Sequence, residues 1–96
     1  MGFVQIIEFR TSKTDEMRAM ADEWEKATEG KRKVQRRVLC EDRDDRGRFF
    51  NIVFFESFQD AMENSSLPET DSFSKRMAAM TDGSPTFLNL DVLEER

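Results

Sequence analysis

Phe49-Phe50-Asn51-Ile52-Val53-Phe54-Phe55-Glu56 holds six aromatic or β-branched residues in eight positions. Such a run packs as a pleated strand. Both of its alternations are apolar: Phe50, Ile52 and Phe54 on one side, Phe49, Val53 and Phe55 on the other, broken only by Asn51. An antiparallel strand with one wet face alternates apolar with polar. This one is therefore expected to be covered on both faces. Upstream, Asp42-Arg-Asp-Asp-Arg-Gly47 reads as a hairpin connection in which Gly47 is free to take positive φ, and it leads back to a strand over Val34–Glu41. Further upstream, Phe3–Phe9 is another strand. Thr14 is a candidate N-cap, with Asp15 and Glu16 suited to the positive end of a helix dipole. Met17, Met20, Ala21, Trp24 and Thr28 then recur on one helical stripe until Gly30 stops it. Downstream, Phe58, Ala61 and Met62 mark a short helix that Ser65, Ser66 and Pro68 interrupt. Phe73, Met77 and Met80 form a second stripe, with Thr70 or Asp71 as its N-cap, and Thr86–Leu93 makes a last strand.

The order β-α-β-β-α-β, with the second helix interrupted, predicts an α+β class ferredoxin-like sandwich. A four-stranded antiparallel sheet carries the helices on one face, and residues 1–96 form a single domain. Val4, Ile6, Phe50, Ile52, Phe54, Leu88, Leu90 and Val92 are uniformly apolar and are expected to meet the helices. Phe3, Ile7, Phe9, Phe49, Val53, Phe55, Phe87 and Leu93 occupy the opposite alternation. Large apolar side chains left on an open sheet face mark an interface, so a homodimer through the sheet face is expected. On the edge strand, Val34, Val38 and Cys40 are assigned to the helix side. Arg36 fits badly among them. The basic run Lys31, Arg32, Lys33, Arg36 and Arg37 reads first as a solvated edge that deters aberrant pairing.

Composition narrows the function. The chain has 96 residues, 15 basic and 20 acidic side chains, and a net charge of −5, which argues against general nucleic-acid binding. No window approaches a membrane span or a signal peptide, so a cytoplasmic protein is expected. A lone Cys40 makes no internal disulfide, and its reading is a small buried hydrophobe. With no histidine at all, imidazole bases, Ser-His or Cys-His nucleophile pairs and histidine-held metal or haem are absent.

Four polar residues interrupt the alternation opposite the assigned helix face: Gln5, Asn51, Asn89 and Asp91. Rough registration sets Gln5 beside Asp91, with Asn51 and Asn89 flanking Ile7. Buried amides and carboxylates need partners, so one reading is a cross-sheet hydrogen-bond network or an intersubunit pair such as Asp91 with Arg37. The other is a ligand cavity, since convergent polar groups among apolar walls are what small-molecule sites look like.

The element order, the two-faced apolar sheet and the segment Ser57-Phe58-Gln-Asp-Ala61-Met-Glu-Asn64, followed by Leu67-Pro68 and Phe73, resemble the dimeric α+β barrel superfamily. The nearest resemblance is to its antibiotic-biosynthesis-monooxygenase-like domains. Ala-Thr-Glu-Gly at 27–30, Asn64-Ser-Ser-Leu-Pro-Glu-Thr70 and Phe87-Leu-Asn-Leu-Asp-Val92 resemble small actinobacterial proteins of that kind. The resemblance implies a homodimer and a cavity between sheet and helices for a small aromatic or apolar molecule. Candidate ligand-binding residues are Gln5, Trp24, Asn51, Asn64, Asn89 and Asp91. No metal or cofactor is expected. It also implies two alternatives: a cofactor-independent monooxygenase on a phenolic, polyketide-type or quinol substrate, or a structural dimerisation module. In monooxygenase-like members a histidine often stands near the position of Asn64 and again just before the residue matching Phe73; neither is present here. The haem-degrading branch, which needs an axial histidine, does not fit.

Overall fold

The computed structural model describes residues 2–96. Its elements are β1 (Phe3–Arg10), α1 (Thr14–Ala27), β2 (Val34–Glu41), β3 (Arg48–Phe55), α2 (Phe58–Ser65), α3 (Pro68–Met80) and β4 (Thr86–Asp91). The four strands form one antiparallel sheet in the order β2-β3-β1-β4. This is the βαββαβ ferredoxin-like arrangement, with the second helix divided into α2 and α3.

The boundaries follow local chemistry. Ser57 caps α2, its hydroxyl accepting from the Asp60 N–H at 3.1 Å. α3 starts on Pro68 rather than at Thr70 or Asp71, because proline lacks the N–H that a first turn leaves unpaired anyway. α1 likewise starts on the expected cap rather than after it: Thr14 is already helical, and Lys13 precedes it without a side-chain cap. Gly47 (φ +92°) closes the β2–β3 connection in the left-handed region. The last strand ends at Asp91, two residues short of Leu93.

The facing of the sheet is the reverse of the expected one. Phe3, Phe9, Phe49, Val53 and Phe55 are buried together with Met17, Met20, Ala21 and Trp24 of α1 and Ala61 of α2. The Val4, Ile6, Phe50, Ile52, Phe54, Leu88 and Leu90 alternation is turned away from the helices. Leu88 and Leu90 are 46% and 45% exposed. The polar interruptions misled the assignment: a core face was expected to be uniformly apolar, yet here the helix layer leaves space that polar residues line.

β2 is corrected as well. Val34 pairs with Phe55 and Arg36 with Phe54, so Gln35 is an extra residue, a β-bulge. The bulge resets the alternation. Val34, Arg37 and Leu39 share the helix side, while Arg36, Val38 and Cys40 face outward. Cys40 is exposed, not buried. Arg36 lies over the Phe54 ring at 5.2 Å and so belongs to the outer face without conflict.

The core is in two pieces. Phe3, Val53, Phe55 and Ala61 cluster at one end of the sheet. Phe9, Met17 and Phe49 cluster at the other, with Ile7, Leu39, Met77 and Met80 packed against them. The strand centres between them are bridged by α3, none of whose residues is fully buried.

Candidate functional site

That gap is a cavity of about 340 Å³ under α3, with walls that include Gln5, Trp24, Asn51, Asn64, Phe73 and Phe87. A second space of about 480 Å³ adjoins it toward α1 and the end of β2, sharing Phe9, Arg37, Asn51, Phe73 and Met77 with the first. The Arg37–Asn51 pair thus stands in the wall common to both.

Each polar wall residue is held by its element. Asn51 is central in β3, opposite Ile7 of β1 and Leu39 of β2, and is 8% exposed. Its Oδ1 accepts an N–H from Arg37 Nη1 at 3.2 Å. Asn64, buried in the last turn of α2, accepts the Lys33 backbone N–H at 3.1 Å and so pins the approach to β2. Trp24 lies on the buried stripe of α1. Its indole N–H donates to Thr70 Oγ1 at 3.0 Å, and its ring meets Phe73 at 5.8 Å between centroids. One tryptophan therefore joins α1 to α3 and also walls the cavity.

α3 is held by a ring of polar contacts. The Thr11 hydroxyl donates to the Met80 carbonyl at 2.8 Å, Arg76 pairs with Glu23 at 2.9 Å and Lys31 with Glu69 at 2.8 Å. The Lys31 ammonium, bonded to the carboxylate, holds Glu69 below the usual carboxylate range. Arg10 does the same for Asp45 across the mouth of the β2–β3 hairpin, and Asp45 reciprocally raises Arg10. Among the described residues no group of carboxylates and thiols converges as a metal ion would need.

No protein-family model matches the chain, and a comparison with curated proteins gives no match. Solved structures do match. SnoaB, a cofactor-independent oxygenase from Streptomyces nogalater (an asparagine-to-alanine variant), superposes with a TM-score of 0.82 at 9% identity, covering 98% of this chain and 95% of its own. A structure described as an antibiotic biosynthesis monooxygenase matches as well, at TM-score 0.76 and 16% identity, over 98% of this chain and 100% of its own. A Mycobacterium tuberculosis protein matches at TM-score 0.80 and 16% identity, over 99% of this chain and 98% of that one. A Nitrosomonas europaea protein assigned provisionally to the antibiotic biosynthesis monooxygenases matches at 0.80 and 14%, over 96% and 90%. At such identities the likeness carries the fold, and the site must be argued from its own residues.

Of the six candidate residues, Gln5, Trp24, Asn51 and Asn64 meet at the cavity. Asn89 stands opposite Gln5 and receives its Nε2–H at 3.1 Å, so this pair forms a cross-strand hydrogen bond. Asp91 falls two residues further, opposite Phe3, on an exposed edge strand away from the cavity walls. The β3 registration was as expected and that of β4 was off by two. Phe73 and Met77 were legible as a helix stripe but not as cavity walls, and Thr70 only as a possible cap. Their spacing gives no sign that α3 stands off the sheet.

Proposed function

We propose that the chain is a homodimeric, single-domain α+β barrel protein that binds a small aromatic or apolar molecule in the cavity between sheet and helices. The observation that carries this reading is the divided core. A sheet able to pack α3 directly instead keeps about 340 Å³ open behind Trp24, Phe73 and Phe87. Close packing is the rule in interiors, and a gap with apolar walls and a few oriented polar groups is the usual form of a ligand site. The homodimer is supported by the outer sheet face, where Val4, Ile6, Val38, Phe50, Ile52, Phe54, Leu88 and Leu90 form an apolar surface on four adjacent strands that no helix covers. Each such side chain gains ~1.5–3 kcal/mol on full burial.

Trp24 is the one tryptophan, so its emission reports on the cavity alone. Titration with naphthalene- and anthracene-based compounds is expected to quench it saturably, and Phe73→Ala is expected to weaken the effect. Emission unchanged across such a panel, with calorimetry equally silent, would count against a ligand site.

A second reading, cofactor-independent oxygenation of a phenolic substrate, is favoured by the likeness to an oxygenase of that description and by Arg37 and Asn51, donors suited to holding an oxyanion. Oxygen uptake with anthrone- or quinol-type substrates tests it, and none across a broad set sinks it.

A further inference from the structure

We propose that the ligand of this cavity is an aromatic carboxylate, its ring against Trp24 and Phe73 and its acid group on Arg37 with Asn51 and Asn64 beside it. The proposal rests on the reading of the cavity as a ligand site and names the chemistry that the site selects.

The argument is an account of donors. Arg37 is half-buried in the wall shared by the two spaces, and its one side-chain partner among the described residues is the Asn51 carbonyl oxygen. Five other arginines have carboxylates in salt-bridge range: Arg10, Arg46, Arg48, Arg76 and Arg96. Arg37 has none among the described residues. A guanidinium carries five N–H groups and accepts nothing, so Arg37 keeps N–H groups without a protein partner where it lines the two spaces. A cation drawn out of water without a counter-charge is costly.

The asparagines extend the pattern. An amide is oriented by its network. Asn51 turns its oxygen to Arg37 and Asn64 turns its oxygen to the Lys33 N–H, both partners being donors only. Each therefore presents its NH₂ elsewhere, and neither nitrogen has a protein acceptor among the described residues. Both residues line the cavity. One guanidinium and two amide nitrogens form a wall of donors, which calls for an anionic, acceptor-rich group. Guanidinium meets carboxylate through two parallel N–H···O bonds, a geometry that a lone hydroxyl or ketone oxygen does not reproduce.

The nearby acids do not supply the missing charge. Asp71 lines the same cavity, but its carboxylate pairs with Lys75 at 3.0 Å. Glu41, on the second space, is held by Arg46 and by the Gly47 N–H. Asp22 and Arg18 face that space from exposed positions on α1. Gln5 alone reverses the pattern, giving its nitrogen to Asn89 and leaving its oxygen for the ligand.

The test is calorimetric, at pH 7, with 2-naphthoate and its neutral counterpart 2-naphthalenemethanol. The naphthoate is expected to bind at least about tenfold more tightly, as hydrogen bonds to a charged group allow. Arg37→Gln is expected to bring the two within about twofold, chiefly by weakening the acid. Arg37→Lys, which keeps the charge and loses the fork, should recover part of the difference. Thermal melts establish that both variants fold. Equal binding of acid and alcohol by the parent, or a preference that survives Arg37→Gln, overturns the proposal while the cavity stands as a ligand site. If neither compound nor any other aryl compound binds, that reading falls and takes the proposal with it.

Discussion

At the residue scale, the informative side chains are the buried polar ones. Thr11 is 3% exposed. It donates to the Met80 carbonyl and accepts the Lys13 N–H at 3.0 Å, so one hydroxyl ties the end of α3 to the corner between β1 and α1. Thr11→Val keeps the shape and strands both partners, which should cost about 1–3 kcal/mol in urea unfolding. Thr11→Ser, which keeps the hydroxyl, should cost less than half as much as the valine. Equal losses would show that the methyl packing, not the hydroxyl, matters there. Asn64→Ala should destabilise within the same range of about 1–3 kcal/mol, because the Lys33 N–H then has no partner. The sequence made Gln5, Asn51, Asn64 and Trp24 legible as a group. Which end of each amide the cavity sees was not legible, because that depends on partners such as Arg37 and Lys33 that the fold brings up.

At the element scale, the strands and helices were readable from β-branched runs, stripes and proline; the strand ends differ from the expected ones by a residue or two, and the start of α3 by three or four. Facing was not readable. Both alternations of β1 and β3 are largely apolar, the polar Gln5 and Asn51 fall on the face that proves to be the core, and Gln35 adds a residue that no periodicity reveals. α3 is the helix with the least burial: it buries no residue fully and depends on its polar ties. The Lys31–Glu69 tie has a defined pH dependence. Glu69 titrates below its ordinary value in the folded chain. Its contribution is therefore present above the unfolded carboxylate range and is lost as pH falls through the lowered folded value. Lys31→Gln is expected to speed amide exchange of α3 relative to the parent at neutral pH. That ratio should shrink toward one as the two proteins are compared at progressively lower pH. A ratio independent of pH would assign the effect to something other than the ion pair.

At the scale of the whole molecule, the two faces of one sheet have different duties. The inner face divides its core around a cavity. The outer face is the more continuously apolar of the two, rimmed by Arg36 over Phe54 and by Arg48, which lies over Phe50 at 5.0 Å and pairs with Glu8 at 2.8 Å. Sedimentation at micromolar concentration is expected to give about twice the 11.3 kDa chain mass. Ile52→Glu, at the middle of the outer face, should give the single-chain mass with an unchanged far-ultraviolet spectrum. A parent that sediments only as one chain refutes the pairing. The strand order also bears on how the chain acquires this form. β1 lies between β3 and β4, so the first of these four strands to be synthesised is the last to gain its second neighbour, some eighty residues later. The β2–β3 hairpin can close locally, whereas β1 pays a long loop closure on each side. Until then Phe3-Val4 and Ile6-Ile7 show apolar side chains in both directions. During synthesis this nascent strand is where the chain is most exposed to misassembly, and where a chaperone that grips short apolar segments would first find a hold.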